Sequence, residues 1–265
     1  MHIVMAVSIL SALLPQARPA GPTHRPEEIE YMLQKTGYVL PYMIFEADVT
    51  FSHFEFDEFR RAPGRPDLDI DQFVAELAFG VTDWLTVEGE LPFLSVDVDP
   101  GDGESGLGDI ALEGKVSFKE GATNPIGFLR DIDLAAGVRV TIPTGDEDEG
   151  LGEEHATLAP FVAGSYWFDT WVALHARLML EWQQERRPVH RVNATAEFSP
   201  WARELSLMAG LQVEREGDDP SAILFIPGVE YRFPQIPLTP GLSIPIGLTS
   251  RAPDVGFILN VQYRF

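Results

Sequence analysis

From residue 42 to the C terminus the chain returns repeatedly to one pattern: about ten residues of alternating apolar and polar side chains, closed by Gly, Pro, Asn or Asp. A strand turns successive side chains to opposite faces, so each such segment has one apolar and one polar face. The last segment is the clearest. Val255, Phe257, Leu259, Val261, Tyr263 and Phe265 share one face, and Gly256, Asn260, Gln262 and Arg264 the other, with Ile258 the exception. Its eleven residues are about the length a tilted strand needs to cross a bilayer. Twelve segments of this kind can be counted, over 43–54, 70–79, 84–93, 109–118, 132–142, 156–167, 171–182, 191–198, 205–214, 222–233, 242–249 and 255–265. An even number brings both ends of a single-chain barrel to the same side. The pattern predicts an all-β fold: a closed, antiparallel, up-and-down transmembrane β-barrel.

Composition narrows the alternatives. No apolar run reaches the roughly 18 residues of a transmembrane helix. A formal net charge of −22 argues against nucleic acid as a partner, because phosphate binding needs clustered Lys and Arg. The chain has no Cys, which removes disulfides and thiolate metal sites. The structural rival is a soluble barrel with its apolar face inward. Against it stand the recurrence of the apolar stripe at bilayer-crossing length and the charges in mid-strand, as a wet lumen would hold.

Loops and aromatics agree with the membrane reading. If the first strand runs outward, the far-side connections 55–69, 94–108 and 144–155 are long and mostly charged. The near-side connections 80–83, 168–170, 199–204 and 234–237 are short, and only 119–131 departs from this. Long outer loops and short periplasmic turns are the asymmetry of outer-membrane barrels. Phe79, Phe118, Phe198, Phe233, Tyr263 and Phe265 fall at near-side strand ends, and Trp84, Trp167, Trp171 and Trp201 flank the short turns, as at a bilayer interface. Pro160, Pro227 and Pro245 lie inside strands, where each removes a ladder donor. Bulges are expected there.

Three segments follow along the chain. Residues 1–20 read as a signal peptide with Ile3–Leu14 as its apolar core. No Lys or Arg precedes that core, and Pro15 or Arg18 falls at the −3 position of the two candidate cleavage sites. Residues 21–41 precede the barrel, and Pro26-Glu27-Glu28 followed by Ile29, Met32 and Leu33 suits a short helix start. This segment either plugs the lumen from the periplasmic side or hangs as a periplasmic tail. Residues 42–265 form the barrel.

Short motifs carry a resemblance. Gly106-Leu107-Gly108-Asp109-Ile110 opens the fourth strand, and Pro143-Thr144-Gly145 closes the fifth, followed by an acidic Gly-containing loop and a strand with Pro160. The terminal Phe265, with Tyr263 two residues before it, resembles the C-terminal signature of bacterial outer-membrane barrels. The order of these motifs from Gly80 to Phe265 resembles the outer-membrane family labelled "MetA-pathway of phenol degradation", often called transporters. The resemblance implies a barrel associated with uptake of aromatic or other hydrophobic compounds, and it brings no catalytic residues.

The polar stripe is where chemistry would lie. Its acids are Glu46, Asp48, Glu76, Glu88, Glu90, Asp109, Glu113, Asp133, Glu181, Glu197, Glu214 and Glu230; its bases are Lys115, Arg139, Arg177, Arg191, Arg232 and Arg264. Two readings stand: a charged constriction that selects permeants, or a paired network that fills a narrow barrel. Glu113, Lys115, Arg139 and Arg177 are the constriction candidates. Glu46, Glu76, Glu88, His175, Glu181, Glu230 and Arg232 are further lumen-facing residues. Acidic outer runs (Asp97, Asp99, Asp102, Glu104, and Asp146–Glu149 with Glu153 and Glu154) offer carboxylates but no EF-hand pattern. No histidine pair has metalloprotease spacing, and no GxSxG motif is present. No catalytic residue, metal or cofactor is expected.

The expected function is an outer-membrane channel or transporter for small, hydrophobic or aromatic molecules. The alternatives are a structural or adhesive barrel with a closed lumen and an outer-membrane lipid hydrolase. The expected partners are outer-membrane lipid and lipopolysaccharide, the barrel-assembly machinery acting through the C-terminal strand, and a small-molecule substrate.

Overall fold

A computed structural model describes residues 39–56, 67–99, 103–118, 132–147, 149–169, 171–184, 186–199, 204–219 and 221–265. Their regular structure is entirely β: β1 (Phe45–Phe56), β2 (Asp67–Thr82), β3 (Leu85–Asp99), β4 (Glu104–Leu107), β5 (Ile110–Ser117), β6 (Ile132–Ile142), β7 (Thr157–Asp169), β8 (Val172–Gln183), β9 (Val189–Phe198), β10 (Leu205–Glu216), β11 (Ala222–Tyr231), β12 (Leu238–Ser243), β13 (Ile246–Gly247) and β14 (Val255–Arg264). Neighbours in sequence pair antiparallel around the ring, and β14 pairs with β1 from Glu46↔Arg264 to Glu55↔Val255. The ring of staves therefore closes on itself. β4 pairs only with β3, and β12 and β13 are two pieces of one stave between β11 and β14. The wall has twelve staves.

Leu112 is 50% exposed and Glu113, its neighbour, 5%. The same contrast runs round the barrel. Phe73, Val138, Leu174, Leu211 and Leu259 face out, while Asp48, Glu88, Asp133, Arg177 and Gln262 face in. Apolar outside and ionised inside is the inverse of a soluble barrel and fits a wall that meets lipid. The aromatic girdle at the near rim is continuous in places. Phe45 stacks against Phe79 at 4.4 Å and against Phe265 at 5.8 Å, and Trp171 meets Phe198 edge-on. Trp167 departs from expectation: it turns inward, edge-on to His175 at 5.9 Å. Trp201 lies outside the described residues.

Several boundaries differ from the sequence reading. Met43 is not in the first strand but in a turn, with φ of 64°. The expected outer loop 94–108 is mostly strand, because β3 runs on and folds back as β4. The stave expected over 242–249 begins at Leu238 and is interrupted at Ile244 and Pro245. The connection 119–131 and residues 1–38 lie outside the described residues.

The expected bulges at the prolines do not form. Register shifts occur instead beside two near-side turns, between Gly80 and Thr82 and between Trp167 and Asp169. Pro227 keeps its pairing with Ala209, and the register across Ile244 and Pro245 is unbroken. Pro160 pairs with Val138 on one side, while on the other the β7–β8 ladder skips Ala159 and Pro160. In an antiparallel strand a residue's N–H points to one neighbour only, so a proline removes one bond without adding a residue.

Candidate functional site

Alternation places the charged residues on the inner wall, and small residues let them reach one another. Ala135, Gly137 and Ala163 face inward between β5 and β8. Arg177 on β8 passes over that gap. Its guanidinium lies 3.8 Å above the Phe161 ring, and Nη2 donates a 2.6 Å hydrogen bond to Glu113 Oε2 on β5. Both side chains are buried. A Cβ at position 137 would lie 2.4 Å from the Phe161 ring, so glycine is what lets Phe161 lie flat beneath Arg177.

Arg139, the cross-strand neighbour of Glu113, reaches the other way. It donates through both terminal nitrogens to the two carboxylate oxygens of Glu90 on β3. Lys115 is buried two residues along β5, opposite Thr86 and Gly137. The four constriction candidates thus occupy one stretch of wall across β5, β6 and β8. Glu90 was legible as a lumen acid, but its bond to Arg139 was not, because β5 separates their strands. Glu76, Glu88 and Glu90 bring carboxylate oxygens within 4.8 Å of one another, and Arg139 supplies positive charge to that cluster.

The remaining lumen residues form separate groups. Glu46 pairs with Arg264, and Asp48 accepts 2.7 Å bonds from Asn260 Nδ2, both across the β1–β14 seam. Arg191 bridges Glu181 and Glu214 near the outer end. Glu230 is buried near the near-side end, within electrostatic reach of Glu197, Asp48 and Arg232. His175 sits between Ser165, at 3.0 Å, and Glu197, at 3.4 Å. These are hydrolase residue types in a row. Yet Ser165 faces the lumen instead of lipid, and its strand is paired on both sides. The neighbouring N–H groups are therefore committed to the ladders and unavailable to an oxyanion.

Asp109 corrects the sequence reading. It is not a lumen charge on the fourth strand, since β5 begins at Ile110. Instead Oδ1 accepts the N–H groups of Thr144 and Gly145 at 2.9 Å, and Oδ2 accepts that of Glu153 at 2.8 Å. Thr144 Oγ1 accepts the Ile110 N–H and donates to the Gly108 carbonyl. Leu151 is buried against Gly106 and Gly108, where any Cβ would crowd it. The Gly-Leu-Gly-Asp and Pro-Thr-Gly motifs therefore clamp the β6–β7 loop to the β4–β5 corner at the outer mouth. Glu153 ties the same loop to Arg186.

At the opposite mouth, the chain before β1 enters the lumen. The Leu40 N–H donates to Thr86 Oγ1 at 2.7 Å, and Val39 and Leu40 are buried. The Pro41 carbonyl passes so close to Gly80 that a Cβ there would lie 2.0 Å away. The Tyr42–Met43 turn then reverses the chain into β1, held by the Met43 N–H to the Gly80 carbonyl.

Known structures share this wall. The COG4313 outer membrane channel from Pseudomonas putida F1 superposes with a TM-score of 0.70 at 17% identity, over 86% of this chain and 97% of that one. The KdgM porin in complex with disordered oligogalacturonate matches with a TM-score of 0.55 at 9% identity, over 83% and 99%. The β domain of the Bordetella autotransporter BrkA matches at 0.51 and 13% identity, over 83% and 98%. No curated protein matches the chain in sequence. A channel, a porin and an autotransporter β domain thus share the architecture. Residues 67–265 match the family model described as "Putative MetA-pathway of phenol degradation", and the chain, an outer-membrane β-barrel, belongs to that family.

Proposed function

We propose that the barrel is an outer-membrane channel for small molecules, with Glu113, Lys115, Arg139 and Arg177 forming its constriction. The observation that carries this is the Arg177–Glu113 bond, which crosses two intervening strands and gathers paired charge at one level of the inner wall. The constriction holds three bases and one acid on an inner wall where acids otherwise outnumber bases, so charges of both signs select the permeant. The family's description points to aromatic compounds as the permeant class. Liposome swelling and single-channel current test the reading. Arg177→Ala opens the constriction and raises conductance. Failure of both wild type and variant to pass any solute defeats it and favours the closed, structural barrel.

The segment before β1 acts as a plug in this reading. Residues 21–38 lie outside the described residues, but Val39 and Leu40 already occupy the lumen. A barrel lacking residues 21–40 swells liposomes several-fold faster. Equal rates would place the segment in the periplasm.

A further inference from the structure

The outer wall carries a feature that the channel does not use. Where Pro160 interrupts the β7–β8 ladder, the wall is notched by a recess of about 390 Å³. Its outward-facing lining is Pro160, Val162, Leu178, Leu180, His190 and Val192, with Phe161, Met179 and Arg191 of the same strands completing it. The recess lies in the outer part of the wall and ends at His190, close to the outer end of β9.

A basic group stands over it. Arg215 is the cross-strand partner of His190, and both side chains are exposed on the outward face. Arg187 lies beside them: its Cδ is 2.5 Å from where a Cβ on Gly217 would sit, and the Gly217 N–H donates to the Pro188 carbonyl. Among the described residues, Arg187 and Arg215 form no ion pair and no side-chain hydrogen bond. Other arginines of the outer loops are engaged, Arg186 with Glu153 and Arg251 with Asp219. The strand acids Glu181 and Glu214 face the other way and hold Arg191. In a chain of net charge −22, two guanidinium groups without an ion pair among the described residues, at one point of the outer rim beside Glu216 and Asp218, form a local site for an anion. Guanidinium groups match phosphate geometry by paired N–H bonds, and basic pockets beside apolar wall bind lipid head groups.

We propose that this recess and its crown form a docking site for one lipopolysaccharide molecule of the outer leaflet. A lipid A acyl chain lies in the notch at Pro160, and a lipid A phosphate is held by Arg187 and Arg215 beside His190. The placement is consistent in depth. The basic groups sit at strand ends, where head groups lie, and the apolar lining continues toward the middle of the bilayer.

Native mass spectrometry of the detergent-extracted barrel tests the site. The probes are bisphosphorylated lipid A, dephosphorylated lipid A and phosphatidylglycerol. The wild type retains one bisphosphorylated lipid A. The double variant Arg187→Gln/Arg215→Gln retains it about tenfold less well, as loss of charge-assisted contacts predicts. Val162→Trp, which fills the notch and leaves the arginines in place, weakens it similarly and provides a test independent of the charge variant. Conductance is unchanged in both variants, which separates this site from the channel. Equal retention by the wild type and both variants, or equal retention of dephosphorylated lipid A, overturns the proposal. Displacement of lipid A by equimolar phosphatidylglycerol also overturns it, since the site would then be one for any anionic lipid.

Discussion

Arg177 on β8 and Glu113 on β5 are joined at 2.6 Å although β6 and β7 lie between their strands. Most side-chain pairs in a sheet join adjacent strands. This one requires the inner wall beneath it to be low, and Ala135, Gly137 and Ala163 make it so. Removing one partner breaks a buried ion pair, a loss of about 3–5 kcal/mol, with Arg139 still beside Glu113 when Arg177 is the one removed. Arg177→Met alone and Glu113→Leu alone should each destabilise by that order in urea unfolding from lipid vesicles. The double variant should recover most of the loss.

Gly137 makes the same bridge testable from below. Gly137→Ala places a methyl group against the Phe161 ring and the Gly114 carbonyl, which costs about 1–3 kcal/mol by overpacking. The penalty should shrink when Phe161 is also replaced by Ala. A double-mutant cycle measures that coupling, and strict additivity would show that the ring does not resist the methyl.

Asp109 holds three main-chain N–H groups of the β6–β7 loop. Asp109→Ala removes these bonds to a charged acceptor at a partly exposed corner, a loss of about 1.5–3 kcal/mol. Protease added to intact cells should then cut within residues 144–156 at least several-fold faster, while the barrel still shifts in gel mobility on boiling. Asp109→Asn, which keeps one carbonyl acceptor, should lie between wild type and Ala.

The seam between the first and last strands carries its own polar stitches. Asn260→Ala removes the bonds to Asp48 and Thr50, and Arg264→Ala removes the pair with Glu46. Each should lower the temperature at which the barrel loses its compact gel mobility. Combined, they should act almost additively, because the two groups have separate partners.

Period-two alternation was enough to reveal the twelve staves, the closed ring and which face meets lipid, because a strand's pleat ties side-chain direction to sequence parity. Phe73, Leu112, Val138 and Leu259 could be assigned outward from the chain alone for that reason. Proline chemistry misled it, since a missing N–H was read as a bulge when the ring of paired neighbours holds the register. Asp109 misled it too, because parity extended one residue past the end of a strand assigns a face to a loop residue.

What parity cannot contain is distance across the barrel. The sequence determined that Arg177, Glu113, Arg139 and Glu90 face inward. Only ring closure, register and the absence of side chains at Gly137 and Gly80 decided the rest: that Arg177 meets Glu113, that Arg139 meets Glu90, and that Leu40 slips inside. Those contacts join residues far apart in the chain through space that no local pattern describes.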